Sequence, residues 1–125
     1  MPRITHFEIQ AEDPKRAMAF YTGLFGWSFE QWGTNDYWMI TTGPKEEIGI
    51  NGGLLPRKGS TWGDFVNAYV CTAGVDDLDA TLVKLVELGG AVVVQKNEIP
   101  GMGWLAYAKD TEGNIFGMMQ PMMKA

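Results

Sequence analysis

The order of elements along this chain repeats, and that repetition restricts the fold more than any single motif does. The first pass runs strand, helix, then three strands. Ile4-Thr5-His6-Phe7-Glu8-Ile9-Gln10 alternates in the manner of a half-buried strand, with Thr5, Phe7, Ile9 and Ala11 on one face and His6, Glu8 and Gln10 on the other. Asp13-Pro14 then supplies a side-chain cap and a first-turn proline, Ala17, Phe20, Tyr21 and Leu24 recur at helical spacing, and Gly26 ends the helix. Trp27–Trp32 and Tyr37–Thr41, joined by Gly33-Thr34-Asn35-Asp36, form a predicted hairpin, and Ile48–Leu54 is a predicted glycine-rich strand.

The second pass follows Pro56–Gly63, which has no periodicity and reads as a linker. Phe65–Cys71 is a predicted strand, Asp76–Leu88 a helix directing Leu78, Leu82, Leu85 and Val86 inward, and Gly89-Gly90 its stop. Strands are expected at Ala91–Gln95, Trp104–Ala108 and Asn114–Gln120. The helix brackets Asp13 and Gly26 match Asp76 and Gly89 at an offset of 63, while the strand ahead pairs His6 with Asn67 at 61. A single domain is expected, with repeat one at about 3–55, a linker at 56–63 and repeat two at about 64–121.

Composition narrows the partners. The formal net charge is -5 and the ten basic residues are scattered, so the basic stripe that neutralises phosphates is missing and nucleic acid is not expected. Nor is a membrane, since no apolar run reaches the length of a span. One cysteine, Cys71, cannot form an internal disulfide and reads as a small buried residue; without a signal-peptide pattern, the expected location is cytoplasmic.

Two βαβββ units, a histidine in the first strand, Phe20-Tyr21-x-x-Leu24-Phe25-Gly26-Trp27 and Asp110-x-Glu112-Gly113-Asn114 together resemble the vicinal oxygen chelate superfamily, which includes glyoxalase I, extradiol dioxygenases and bleomycin-resistance proteins. The resemblance implies an α+β fold in which curved mixed sheets enclose an open cup, with the helices on the convex side. Metal-binding members take one ligand from the first and one from the last strand of each half. In this sequence those positions fall on His6, Gly49, Asn67 and Gly117, with Asn51 as an alternative donor. One imidazole, amides and glycines are a poor donor set for a transition metal, so no resident metal or other cofactor is expected.

What remains is a polar-floored site for a small organic molecule. His6, Asn51, Asn67 and Tyr69 are its expected ligand-binding residues, and Trp38 and Trp104 its aromatic walls, although alternation alone leaves Tyr37 and Tyr107 as the other choice. A binding protein that resembles the resistance proteins, forming a homodimer, is the expected function. The alternative is a lyase or isomerase resembling glyoxalase I, with an altered metal shell or with His6 and Glu8 as its acid–base pair.

Overall fold

A computed structural model describes residues 2–57 and 68–122. Its fold is α+β: two βαβββ repeats, with eight strands and two helices among the described residues. In chain order these are β1 (Arg3–Ala11), α1 (Pro14–Phe25), β2 (Ser28–Gln31), β3 (Trp38–Thr41), β4 (Gly52–Pro56), β5 (Tyr69–Gly74), α2 (Leu78–Glu87), β6 (Ala91–Ile99), β7 (Gly103–Lys109) and β8 (Ile115–Pro121). The chain divides into two compact units, His6–Val70 and Met1–Thr5 with Cys71–Ala125, and both boundaries fall inside strands.

In the unit His6–Val70, β2 pairs antiparallel with β3 and β3 with β4, while β4 runs parallel to β1 with Glu8 opposite Gly53. Asp13 caps α1 by accepting a hydrogen bond from the Arg16 amide at 3.2 Å, and Gly26 closes it in the left-handed conformation at φ 75°. Ile9, Ala11, Ile40 and Leu54 form the buried core, against which Phe7, Ala17, Met18, Tyr21, Trp27 and Trp38 pack. The odd-numbered residues of β1 therefore face the helix, leaving His6, Glu8 and Gln10 on the opposite face. The apolar stripe on α1 is only half used, because Phe20, Leu24 and Phe25 are exposed.

In the other unit, β5 runs parallel to β8, with antiparallel β8–β7 and β7–β6 pairs. Register shifts in β6 lie between Val92 and Val94 and between Val94 and Asn97. Bulges of this kind bend a strand and disrupt its ladder. Val75, Leu78, Ala106, Ala108 and Met118 make the core, with Leu82, Leu85, Trp104 and Phe116 packed on it. Val86, expected inward, is exposed, because the short α2 seats a narrower stripe than its periodicity suggests. The helix stop is as expected: the Gly90 amide donates to the Leu85 carbonyl and Gly89 takes φ 99°. The turn before β8 is held by Asp110, whose carboxylate accepts from the Glu112 and Asn114 amides and from the Asn114 side chain. Those bonds, led by the Asn114 side chain, hold the Asp110 carboxyl below its ordinary value.

Two sequence assignments shift here. The fourth strand begins at Gly52, not Ile48; Ile48 is fully exposed and Gly49 lies in the preceding loop at φ 152°. The cap of α2 is Asp77, whose carboxylate accepts from the Ala80 amide at 3.0 Å, not Asp76. The repeat offset is then 64, shared by the caps Asp13 and Asp77 (77−13) and by Gly53 and Gly117 (117−53). At that offset His6 corresponds to Val70 and Glu8 to Thr72, so the pairing of His6 with Asn67 falls away; Asn67 itself lies outside the described residues.

Candidate functional site

The polar face of the unit His6–Val70 is built on β1. Alternation places His6, Glu8 and Gln10 there about 7 Å apart, and parallel pairing sets Gly53 beside Glu8. A Cβ at residue 53 would meet the Tyr37 phenol, so the Tyr37 ring fills the space that a side chain on β4 would otherwise take. Tyr37 lies one residue ahead of β3, outside that strand's own alternation, which is why periodicity could not place it.

Three groups meet at this point. The Tyr37 hydroxyl lies 2.9 Å from His6 Nε2, and His6 Nε2 lies 3.8 Å from Glu8 Oε2. Burial, followed by the charge of Glu8 and a hydrogen bond to its carboxylate, raises the Tyr37 pKa well above its ordinary value of 10.0. The phenol is therefore neutral at physiological pH and keeps its proton. The Glu8 side chain is only 10% exposed, whereas that of His6 is 36% exposed, so of the two ionisable groups the imidazole is the accessible one.

Further along the row, Gln10 is 4% exposed and its Nε2 has no hydrogen-bond partner among the described residues. Its backbone is satisfied, the amide donating to the Ala68 carbonyl at 2.9 Å and the carbonyl accepting from Arg57 Nη2 at 3.3 Å. A buried side-chain amide without a partner costs about 1–3 kcal/mol. Gln10 continues the His6–Glu8 alternation, so its place on this face was legible; its missing partner was not.

The other expected site residues lie elsewhere. Asn51 sits in the loop before β4, where its Oδ1 accepts from the Thr42 amide at 2.9 Å and fastens that loop. Tyr69 lies on the helix face: its hydroxyl bonds to that of Tyr21, and its ring meets the Tyr21 ring edge-on at 6.5 Å. Burial, then that hydrogen bond, raises the Tyr69 pKa. Cys71 is exposed, not buried. Trp38 belongs to the core with Ile9 and Leu54. Trp104 packs on the core of its own unit and carries the Lys96 ammonium 5.7 Å above its ring. Of each alternating aromatic pair, the tyrosine rather than the tryptophan meets a glycine across the sheet: Tyr37 at Gly53 and Tyr107 at Gly117.

A divalent metal does not fit the polar face of His6–Val70. His6 and Glu8 are its ionisable donors, the third group is a neutral phenol, and the β4 position is a glycine closed by that phenol. Among the described residues, no group of three or more His, Cys, Asp or Glu side chains gathers to hold an ion. Nor is any described helix long and apolar enough to cross a membrane.

The two βαβββ repeats define a fold class shared with many solved structures. Over 98% of this chain and 100% of the other, it superposes on a glyoxalase/bleomycin resistance protein/dioxygenase superfamily member from Vibrio splendidus 12B01, with a TM-score of 0.66 at 11% identity. Methylmalonyl-CoA epimerase from Mycobacterium tuberculosis matches with a TM-score of 0.65 and 17% identity, over 96% of this chain and 88% of that one. These likenesses concern the fold. In sequence, the model of the bleomycin resistance protein-like N-terminal family matches residues 3–43. A protein provisionally named as glyoxylase CFP32, from M. tuberculosis and from Mycobacterium bovis, is 30% identical over 117 residues. That alignment takes in 91% of this chain and 42% of the relative, so the chain spans under half the length of these curated relatives. The sequence and fold likenesses together support the vicinal oxygen chelate superfamily.

Proposed function

We propose that this chain binds a small organic molecule on the polar face of β1, without the divalent metal used by chelating members of its superfamily. The observation that carries this reading is the Gln10 amide, a buried donor without a partner among the described residues, on the same face as a half-open imidazole. A face that served only as scaffold gains nothing by leaving such a donor unpaired, whereas a ligand carbonyl there would satisfy it.

Gln10→Leu separates the two roles. Removing the orphan amide is expected to leave the free protein as stable as before or more stable by about 1 kcal/mol. The same change should abolish retention of the small molecule, as seen by native mass spectrometry of protein incubated with the small-molecule filtrate of a bacterial lysate. A loss of more than about 1 kcal/mol in denaturant unfolding, with retained mass unchanged, would place the amide in the scaffold and overturn this reading.

A second reading, a lyase or isomerase using His6 and Glu8, is favoured by one observation: Tyr37 links the accessible imidazole to the buried carboxylate, an arrangement suited to moving a proton. Epimerases among the structural neighbours share that general fold. Turnover that His6→Ala removes, in protein stripped of metal by a chelator, would establish the enzyme in place of the binding protein.

A further inference from the structure

Tyr37 owns one hydroxyl proton and has two neighbours, Glu8 and His6. An ionised carboxylate can only accept a hydrogen bond, so the contact with Glu8 takes the phenol's proton. The phenol oxygen is then left as an acceptor towards His6 Nε2, 2.9 Å away, and a neutral imidazole meets that geometry only with its proton on Nε2. Glu8 Oε2, 3.8 Å from the same nitrogen, favours a proton there as well.

We propose that Tyr37 locks neutral His6 in its Nε2–H form, so that Nδ1 faces the ligand as an acceptor and selects groups that donate a hydrogen bond. The reading rests on ligand binding at this face. Nδ1 makes no hydrogen bond among the described residues, and the imidazole is more exposed than the Glu8 carboxylate. An amine, ammonium or hydroxyl group satisfies such an acceptor, while a carboxylate or phosphate offers it nothing. The net charge of -5 acts in the same direction against anions. With the Gln10 amide donating from the same row, the complementary molecule carries a donor for His6 and a carbonyl oxygen for Gln10. Tyr37 is here a positioning residue, acting on the ligand through the imidazole.

The chain has one histidine, so nitrogen-resolved NMR of its imidazole reads this site without assignment work. On the alkaline plateau of its titration, the wild-type protein is expected to show a protonated Nε2 and a bare Nδ1, and Tyr37→Phe to relax towards a mixture of both forms. A dominant Nδ1–H form in the wild type would overturn the assignment, and that measurement needs no variant to fold. Benzylamine and benzoate then serve as matched probes with opposite hydrogen-bonding roles. Benzylamine is expected to move the Nδ1 signal in a saturable way and benzoate to leave it in place; an equal or larger response to benzoate would overturn the selectivity. Silence from both probes, with Nε2 protonated, would overturn ligand binding at this face and the selectivity with it, while the tautomer assignment stands on its own data.

Discussion

Corresponding positions of the two repeats receive the same backbone and opposite chemistry. In one unit the register pair Glu8–Gly53 is closed by Tyr37; in the other, Thr72–Gly117 is closed by Tyr107. Both strand pairs are parallel, both glycines give way to a tyrosine ring, and both matched residues on the leading strand are buried. Yet the first repeat buries a carboxylate bonded to a phenol beside a histidine, and the second buries a threonine, with Val70 where the histidine would stand. Shared topology thus fixes where a side chain can enter the face. Which chemistry enters is decided locally, by single residues that the fold does not constrain.

The sharpest way to break this comparison is to add one carbon to each glycine. At residue 53 the new methyl would meet the Tyr37 hydroxyl, which is the far end of its side chain but is tied to His6 and Glu8, so it cannot swing away without losing those bonds. Gly53→Ala is expected to cost about 2–3 kcal/mol. At residue 117 the methyl would come within 2.9 Å of Thr72 Oγ1 and 3.1 Å of the Tyr107 ring, a milder conflict expected to cost about 1 kcal/mol. Chemical denaturation of both variants checks the order; equal losses would mean that the Tyr37 bonds do not hold the ring in place.

Alkaline pH sharpens the contrast at smaller amplitude. Because the folded Tyr37 pKa is raised, its contribution to stability is complete below about pH 10, the unfolded value, and is lost as pH climbs towards the folded value. The slope should not exceed about 1.4 kcal/mol per pH unit for this phenol. Tyr69 is raised as well, but it is largely exposed, so solvent screening leaves its share from the helix face small. Tyr37→Phe should flatten part of the decline above pH 10 and leave the Tyr69 share, as read from denaturant midpoints across a pH series.

The smallest effect is expected where the two repeats agree. Asp13→Ala and Asp77→Ala each remove one side-chain cap, and each should cost about 1 kcal/mol, with near-equal shifts in thermal midpoint. Unequal shifts would show that one helix is held chiefly by packing.

The element order, the cap of the first helix, both helix stops and the first hairpin were legible because each has a local cause: a capping aspartate, a stop glycine, a run of alternating aromatics. Register was less so. Asp76 and Asp77 are adjacent acids that could equally cap a helix, and choosing the wrong one moved the repeat offset by one residue, enough to exchange the faces of a strand. Tyr69 was assigned to the polar face because the strand pairing set His6 against Asn67 at an offset of 61, odd where the caps give an even 64, and Asn51 because Ile48-Gly49-Ile50 resembles a strand that in fact starts at Gly52. Trp38 and Trp104 were drawn to the site by their aromaticity, but bulk apolar rings serve the cores on the helix side, and the tyrosines, with a polar tip, occupy the other face. His6 and Glu8 were placed by alternation alone.

The ring that closes Gly53 also bears on how this face could change over generations. A carboxylate introduced at residue 53 would collide with the Tyr37 phenol, and shortening Tyr37 first would strip the buried Glu8 of a hydrogen-bond donor. Each step is penalised without the other, so a lineage starting from this sequence crosses a fitness valley before it reaches a chelating site. The tyrosine acts as a ratchet: it makes this arrangement of Glu8, Gly53 and Tyr37 hard to leave by single substitutions.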